Sequence, residues 1–273
     1  MSEPFDEAVA VARELVALVG DREVSFLAAA IAYYAFVSLL PALLLLLAVA
    51  SLVGGEGLAE RVVDASGEVL SPVGRELVRE ALVGAAGRAP ATLVSLPILA
   101  WSALKVFRGA DIAFSEIYGT SPAPSFLGRV RDAAVALGTV GVSLAALVAV
   151  SVVVSYSGVA LAGLLGTVAL VVVLTALFLP LFYLFPTAEV TVREVLPGTV
   201  LAAVGWTALG TVFRVYAASA GQFDLYGVLG VVLLLVTWYY AGSIVLLLGA
   251  ALNAVLAGRA GQTTNTKREP VDG

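Results

Sequence analysis

Lys105, Arg108, Asp111 and Glu116 fall within twelve residues of an otherwise apolar stretch. An ionisable group at bilayer depth costs about 3 kcal/mol even on lenient scales, so such groups face a cavity, a partner or the interface. Arg108 and Asp111 stand three apart, on neighbouring turns of one helical face, where they can pair. Lys105 and Arg108 share a face as well, a basic spot suited to an anionic group. The competing reading has all of them in the inner half of a span, snorkelling to the headgroups. Arg214 is the second candidate: it either pairs with Asp224 in the turn that follows or lines an outer vestibule and contacts an anion. Asn253 reads as a helix–helix hydrogen bond or a terminal cap. Tyr33 and Tyr34 are either interface anchors or hydroxyls facing a polar cavity.

The residue types that are missing narrow the chemistry. Cysteine is absent, which excludes disulfides and thiolates, and histidine is absent, which removes the commonest metal ligand and general base. An intramembrane serine hydrolase needs a Ser with a His or Lys base. An aspartyl protease needs two facing Asp, and only Asp111 lies well inside a span. No G-x-x-x-x-G-K-[ST] occurs, so any transport is passive, ion-coupled or dependent on a partner. We expect no enzyme activity, no catalytic, cofactor-binding or metal site, and no nucleic-acid partner, since no basic cluster exists. The net charge of −5, with Lys105 and Lys267 the only lysines, suits a cytoplasm of high salt.

The elements that must position these groups are membrane helices. Sixty per cent of residues are hydrophobic and 13% are charged, half the share of an ordinary soluble domain. No charge occurs in Val24–Gly55, in the 56 residues of Ala133–Ala188 or in the 34 of Leu225–Gly258. About 20 apolar residues cross a bilayer as a helix, so the second of these runs holds two spans, turning near Tyr156-Ser157-Gly158. Unbroken Leu/Val/Ala runs lack the alternation of barrel strands. The expectation is an all-α polytopic protein, a bundle of six transmembrane helices with amphipathic surface helices.

In detail, residues 1–23 are expected as a cytoplasmic amphipathic helix, with Phe5, Val9, Ala12, Val16 and Val19 on one face. Its acidic start and the long run after it argue against a signal peptide. The spans are placed at Ser25–Val53, Ala91–Ile117, Ala133–Ser155, Ala160–Phe185, Leu196–Ala217 and Tyr226–Ala257. They make up a membrane domain over residues 24–257, with an acidic amphipathic extracytoplasmic loop at 54–90 and a mobile cytoplasmic tail at 258–273. With both termini inside, the inner loops carry eight Lys or Arg and the outer loops four. The chain is therefore expected in the cell membrane, multi-pass, with its N- and C-termini cytoplasmic. Pro41, Pro97 and Pro180 permit kinks, and no repeat of fixed period is visible.

The chain resembles the YihY/BrkB family of bacterial and archaeal inner-membrane proteins. The likeness is carried by Ala28–Pro41, Trp101-Ser102, Ile117-Tyr118 and Tyr183-Leu184-Phe185-Pro186, then Leu196-Pro197-Gly198-Thr199 and Tyr226-Gly227-Val228-Leu229-Gly230. Trp238-Tyr239-Tyr240 and Leu248–Asn253 complete it, so it runs from about residue 20 to residue 257 in order and spacing. Two positions depart from the pattern: Ala251 stands where an acid is usual, and Ser115 or Glu116 where an Asn is usual. The resemblance implies a six-helix membrane protein handling lipid or solute. An old ribonuclease label for the family does not suit this chain, because zinc-centred phosphodiester hydrolysis wants clustered His and Asp. The function expected is a transporter or permease for a lipid-like or small anionic solute, with Lys105, Arg108, Asp111 and Arg214 around a polar pathway. The alternative is a non-transporting scaffold that organises envelope components. Membrane lipids are the expected partners, with a second copy or an envelope protein open as others.

Overall fold

The computed structural model describes residues 3–39, 105–106, 108–121, 162–186, 188–220 and 227–259. The expected span at Ala133–Ser155, the loop at 54–90, Asp224 and nearly all of the tail lie outside them. All regular structure among the described residues is α-helical: α1 Glu3–Asp21, α2 Val24–Leu39, α3 over 108–118, α4 Ala162–Leu184, α5 Val192–Ala220 and α6 Gly227–Leu256. Two compact units divide the chain. One comprises residues 1–32 and 107–273, the other residues 33–106.

These six helices are not the six expected spans. Among the described residues three segments are long and apolar enough to cross a membrane: Gly166–Leu184 of α4, Val192–Tyr216 of α5 and Val232–Leu256 of α6. Their ends fall within about six residues of those read from charge-poor runs. In such surroundings a hydroxyl has no water to bond, so it turns back on its own helix. Thr175, Thr199, Thr207 and Thr237 each donate to the carbonyl four residues earlier, at 2.7–2.8 Å. Pro180 interrupts α4 without ending it, as buried helices with close neighbours allow.

In the larger unit, α5 packs between α4 and α6, and α1 packs along α6. The core is Phe114, Ile117 and Tyr118 of α3, Phe178 and Phe182 of α4, Val195, Ala202 and Ala203 of α5, and Leu247, Ala250, Ala251 and Ala254 of α6. Edge-to-face rings knit the layers: Phe114 on Phe182 at 5.5 Å, Phe178 on Trp206 at 5.5 Å and Trp206 on Trp238 at 6.0 Å. The alanines on α5 and α6 let the two backbones approach, as small residues do between membrane helices. Helix α1 meets the core through Val11, Leu15, Leu18 and Val19, while Phe5 and Val16 on its adjoining face are 70% and 73% exposed.

The closest crossing is at Gly198 of α5 and Gly249 of α6. A Cβ at Gly198 would overlap the Gly249 carbonyl oxygen, and one at Gly249 would overlap the Gly198 carbonyl and lie 2.9 Å from the Phe182 ring. Backbone cannot swing aside as a long side chain can. We therefore expect Gly198→Ala to destabilise the bundle by about 3 kcal/mol. Gly166→Ala, whose Cβ meets nothing within 4 Å among the described residues, should instead gain about 0.5–1 kcal/mol of helix propensity. Thermal unfolding of both variants in detergent checks the contrast in sign.

Candidate functional site

Three helix ends converge in the larger unit. Helix α3 stops at Gly119, whose φ of +66° is the left-handed value that glycine adopts without strain. There Thr120 N donates to Ser115 O at 2.8 Å, the six-to-one bond of a Schellman cap. Helix α6 stops in the same way, with Gly258 at φ +65° and Arg259 N donating to Ala254 O at 2.9 Å. Helix α5 begins on a capping box: Thr191 N donates to Glu194 Oε2 at 3.1 Å, and Glu194 N donates back to Thr191 Oγ1 at 3.4 Å.

Asn253, 1% exposed, joins α6 to the start of α5. Its Oδ1 accepts from Gly198 N at 2.6 Å, and its Nδ2 donates to Val195 O at 2.8 Å. Pro197 explains why a side chain from another helix is needed here. Proline has no N–H to give the Arg193 carbonyl one turn back and its ring crowds that turn, and Asn253 bonds α5 on either side of it, at Val195 and Gly198. Three residues past the end of α6, Arg259 reaches across to α5's approach, donating to Glu189 O at 2.7 Å with Glu194 Oε2 at 3.8 Å.

Tyr118 enters this junction from α3. Its side chain is 4% exposed and its hydroxyl lies beside Asn253, Arg259 and Glu194, yet it has no hydrogen-bond partner among the described residues. Burial pushes the phenol up to about 12, against the smaller opposing pulls of Arg259 and of the nearby Asn253 amide. Asp111, Ser115 and Tyr118 are spaced i, i+4, i+7, and all three are buried. Together they form one polar stripe down the inward face of α3. Asp111 and Ser115 both have partners.

The residues singled out from sequence are distributed as follows. Glu116 Oε1 accepts from Arg22 Nη1 at 2.9 Å, tying the end of α3 to the corner between α1 and α2. At that corner Glu23 takes a φ of +48°. Arg108 is exposed, while Asp111, one turn on, is buried. Arg214 is exposed and donates to Thr211 Oγ1 at 3.3 Å, among exposed Val212, Val215 and Tyr216. It lies 16 residues beyond Gly198 on α5, about 24 Å along the helix, so it is not part of the junction. Lys105, Tyr33 and Tyr34 belong to the smaller unit. Lys105 is half-buried with a partner, and the two tyrosine rings meet edge-on at 5.4 Å with Tyr33 mostly exposed. Among the described residues no group of three or more acidic side chains is placed to hold a metal.

Tyr118, Arg259 and the capping pair were not among the candidates read from sequence. Thr191-x-x-Glu194 and the glycines at 119 and 258 are legible signals for the helix ends. Nothing local marks the Tyr118 hydroxyl, because its surroundings come from residues more than 70 positions away.

The raised Tyr118 pKa has a consequence for stability. In the unfolded chain tyrosine ionises near pH 10. The folded protein holds Tyr118 neutral to about pH 12, so this group's contribution is intact below pH 10 and is lost as pH climbs toward 12. Wild type should lose about 1 kcal/mol more than Tyr118→Phe between pH 9 and pH 11, measured by unfolding in detergent at each pH.

Comparison with known proteins agrees with this architecture. A model of the Virulence factor BrkB family matches residues 16–272. The ribonuclease-like protein YfkH of Bacillus subtilis is 33% identical over 85 residues, 31% of this chain and 31% of that protein. A UPF0761 membrane protein of Aromatoleum aromaticum is 30% identical over 173 residues, 60% of this chain and 42% of the relative. The chain thus spans less than half the length of these relatives. No solved structure matches. With a family match over nearly its whole length and helices of membrane-crossing length at the matching places, the chain belongs to the BrkB family of membrane proteins.

Proposed function

We propose that this is a six-span protein of the cell membrane, with both termini cytoplasmic, that moves a lipid-like or small anionic solute. The observation that carries transport is the buried stripe of Asp111, Ser115 and Tyr118 inside an otherwise apolar bundle. Polar groups of this kind are costly in a membrane protein and usually mark a path or a relay. Arg108 and Arg214 take a different part in this reading from the one their sequence positions suggest. Both are exposed, and Arg214 stands beside exposed Tyr216, the pairing of an interfacial anchor that meets lipid phosphates.

The topology draws support from the loops themselves. Arg22 bonds Glu116, and Arg259 meets Glu189 and Glu194. The segments around residues 22, 116–120, 189–194 and 259 therefore share one end of the bundle. That is the grouping which the inner-loop arginines require, and it supports a cytoplasmic junction. The acidic face of α1 and its uncovered Phe5 and Val16 suit a helix resting at the membrane surface. We propose no hydrolytic role. The ribonuclease-like designation of the Bacillus relative has no counterpart in a chain with no histidine.

The scaffold reading is favoured by the pairing at the junction, where Arg22, Glu116, Arg259 and Glu194 all find partners. Single cysteines separate the two, since the chain has none of its own. At 111 and 115, in native membranes, the transport reading expects labelling by a water-soluble maleimide and protection by the transported lipid or anion. Silence at both positions, with an exposed control at 108 labelled, would remove the pathway and leave the scaffold.

A further inference from the structure

The junction holds hydrogen-bond donors that nothing among the described residues takes up. The Tyr118 O–H is buried with no partner among the described residues, and the buried Thr120 Oγ1, two residues on, is in the same condition. Arg259 gives one N–H to the Glu189 carbonyl and stands 3.8 Å from Glu194, beyond ordinary hydrogen-bond reach. A guanidinium carries five N–H donors, so this one has donors to spare. Of the acceptors nearby, Asn253 Oδ1 takes the Gly198 amide, the Val195 carbonyl takes Thr199 Oγ1 and Asn253 Nδ2, and Glu194 Oε2 takes the Thr191 amide, and none of them meets the Tyr118 or Thr120 hydroxyl. Every threonine described above within α4, α5 or α6 solves the same problem by bonding its own helix. Tyr118 cannot, because its hydroxyl is held at the far end of a ring packed among α5 and α6. A buried donor left without an acceptor is costly, and an acceptor arriving from outside removes that cost.

We propose that this end of the bundle binds a phosphate-type oxyanion, with the hydroxyls of Tyr118 and Thr120 and the guanidinium of Arg259 as its donors. Arg259 acts on the Tyr118 hydroxyl more strongly than Glu194 does, and the junction holds both charges. The N-terminus of α5 adds the positive end of its dipole, although its first amides are partly satisfied by the capping box. Arg259 is one-quarter exposed, so the site opens outward. It lies at the ends of Val192–Tyr216 and Val232–Leu256, the level of lipid headgroups, where the oxyanion comes either from a phospholipid or from free phosphate. The inference narrows the solute of the transport reading to phosphate-bearing molecules, and only that step rests on transport. The site itself stands whether or not anything crosses the membrane.

The test uses the full chain in an uncharged detergent, followed by thermal unfolding. Inorganic phosphate is titrated at constant ionic strength, and phosphatidylglycerol is compared with diacylglycerol in mixed micelles. Wild type should be stabilised saturably by a phosphate-bearing probe and not by diacylglycerol. Tyr118→Phe and Arg259→Gln should each weaken that response about tenfold or more, the loss of one hydrogen bond to a charged acceptor. Without any probe, Tyr118→Phe should be no less stable than wild type, since it removes an unpartnered hydroxyl. Stabilisation by phosphatidylglycerol alone assigns the site to a lipid headgroup, and stabilisation by inorganic phosphate as well assigns it to the free anion. No response of wild type to either probe, or variants that respond as wild type does, overturns the proposal. Because nothing moves across a bilayer in this assay, its failure leaves the transport reading to the cysteine experiment, and failure of that experiment leaves this site in place.

Discussion

The larger unit depends on one side chain, Asn253, which completes a helix that its own sequence interrupts. Pro197 takes an amide out of α5 two turns from its start, just where α5 crosses α6 at Gly198 and Gly249. An apolar side chain in place of Asn253 would leave the Gly198 amide and part of the Val195 carbonyl's bonding unmet in a region without water. Hydrogen bonds between membrane helices are worth only about 1 kcal/mol on average. Here two act at one crossing, and their loss leaves the Val195 carbonyl to the Thr199 hydroxyl and takes the side-chain partner from the Gly198 amide. The close glycine contact and the amide clamp also depend on each other, since only glycines bring α6 near enough for Asn253 to reach.

Around that clamp the bundle gathers its polar groups at one end. Helices α3 and α6 stop on matching Schellman caps, α5 starts on a capping box, and Arg22 and Arg259 bind the flanking segments to Glu116 and to Glu189. The rest of the described bundle follows an apolar logic, with aromatic edges, alanine contacts and hydroxyls folded back onto their own carbonyls. Tyr118 is the residue that fits neither pattern. It is placed by the packing of Phe114 and Ile117 on the core, and its hydroxyl is carried into the polar end without an acceptor waiting for it. The inward stripe of Asp111, Ser115 and Tyr118 then runs from this junction into the bundle, which is why a solute reading places its entrance here.

Much of this was legible because lipid imposes simple rules. Charge-poor runs located α4, α5 and α6 to within about six residues of their ends, and of the two structural readings of Asn253, interhelical bond or terminal cap, the interhelical bond is present. Other features rest on distances that no local pattern encodes. Arg22 and Glu116 are 94 residues apart, and Tyr118 meets Asn253 across about half the chain. The face of α1 was ambiguous for a physical reason. Phe5, Val9, Ala12, Val16 and Val19 form the face read from sequence and Val11, Leu15 and Leu18 another beside it, with Val19 packed on the core together with the second, and periodicity does not distinguish a surface that meets protein from one that meets lipid. The structure packs the second stripe on the core and leaves Phe5 and Val16 of the first uncovered. Arg108 and Arg214 posed the same problem, because helical spacing places a charge on a face without saying what lies opposite.

Hydrogen–deuterium exchange across α5 tests the central claim most directly, with the protein in nanodiscs and Asn253→Leu as the comparison. The clamp predicts slow exchange from Val195 through Thr199 in wild type, despite the proline, and fast exchange there in the variant while 203–210 stays protected. Fast exchange at 195–199 in wild type, or equal protection in both proteins, would mean that α5 is held by something other than Asn253.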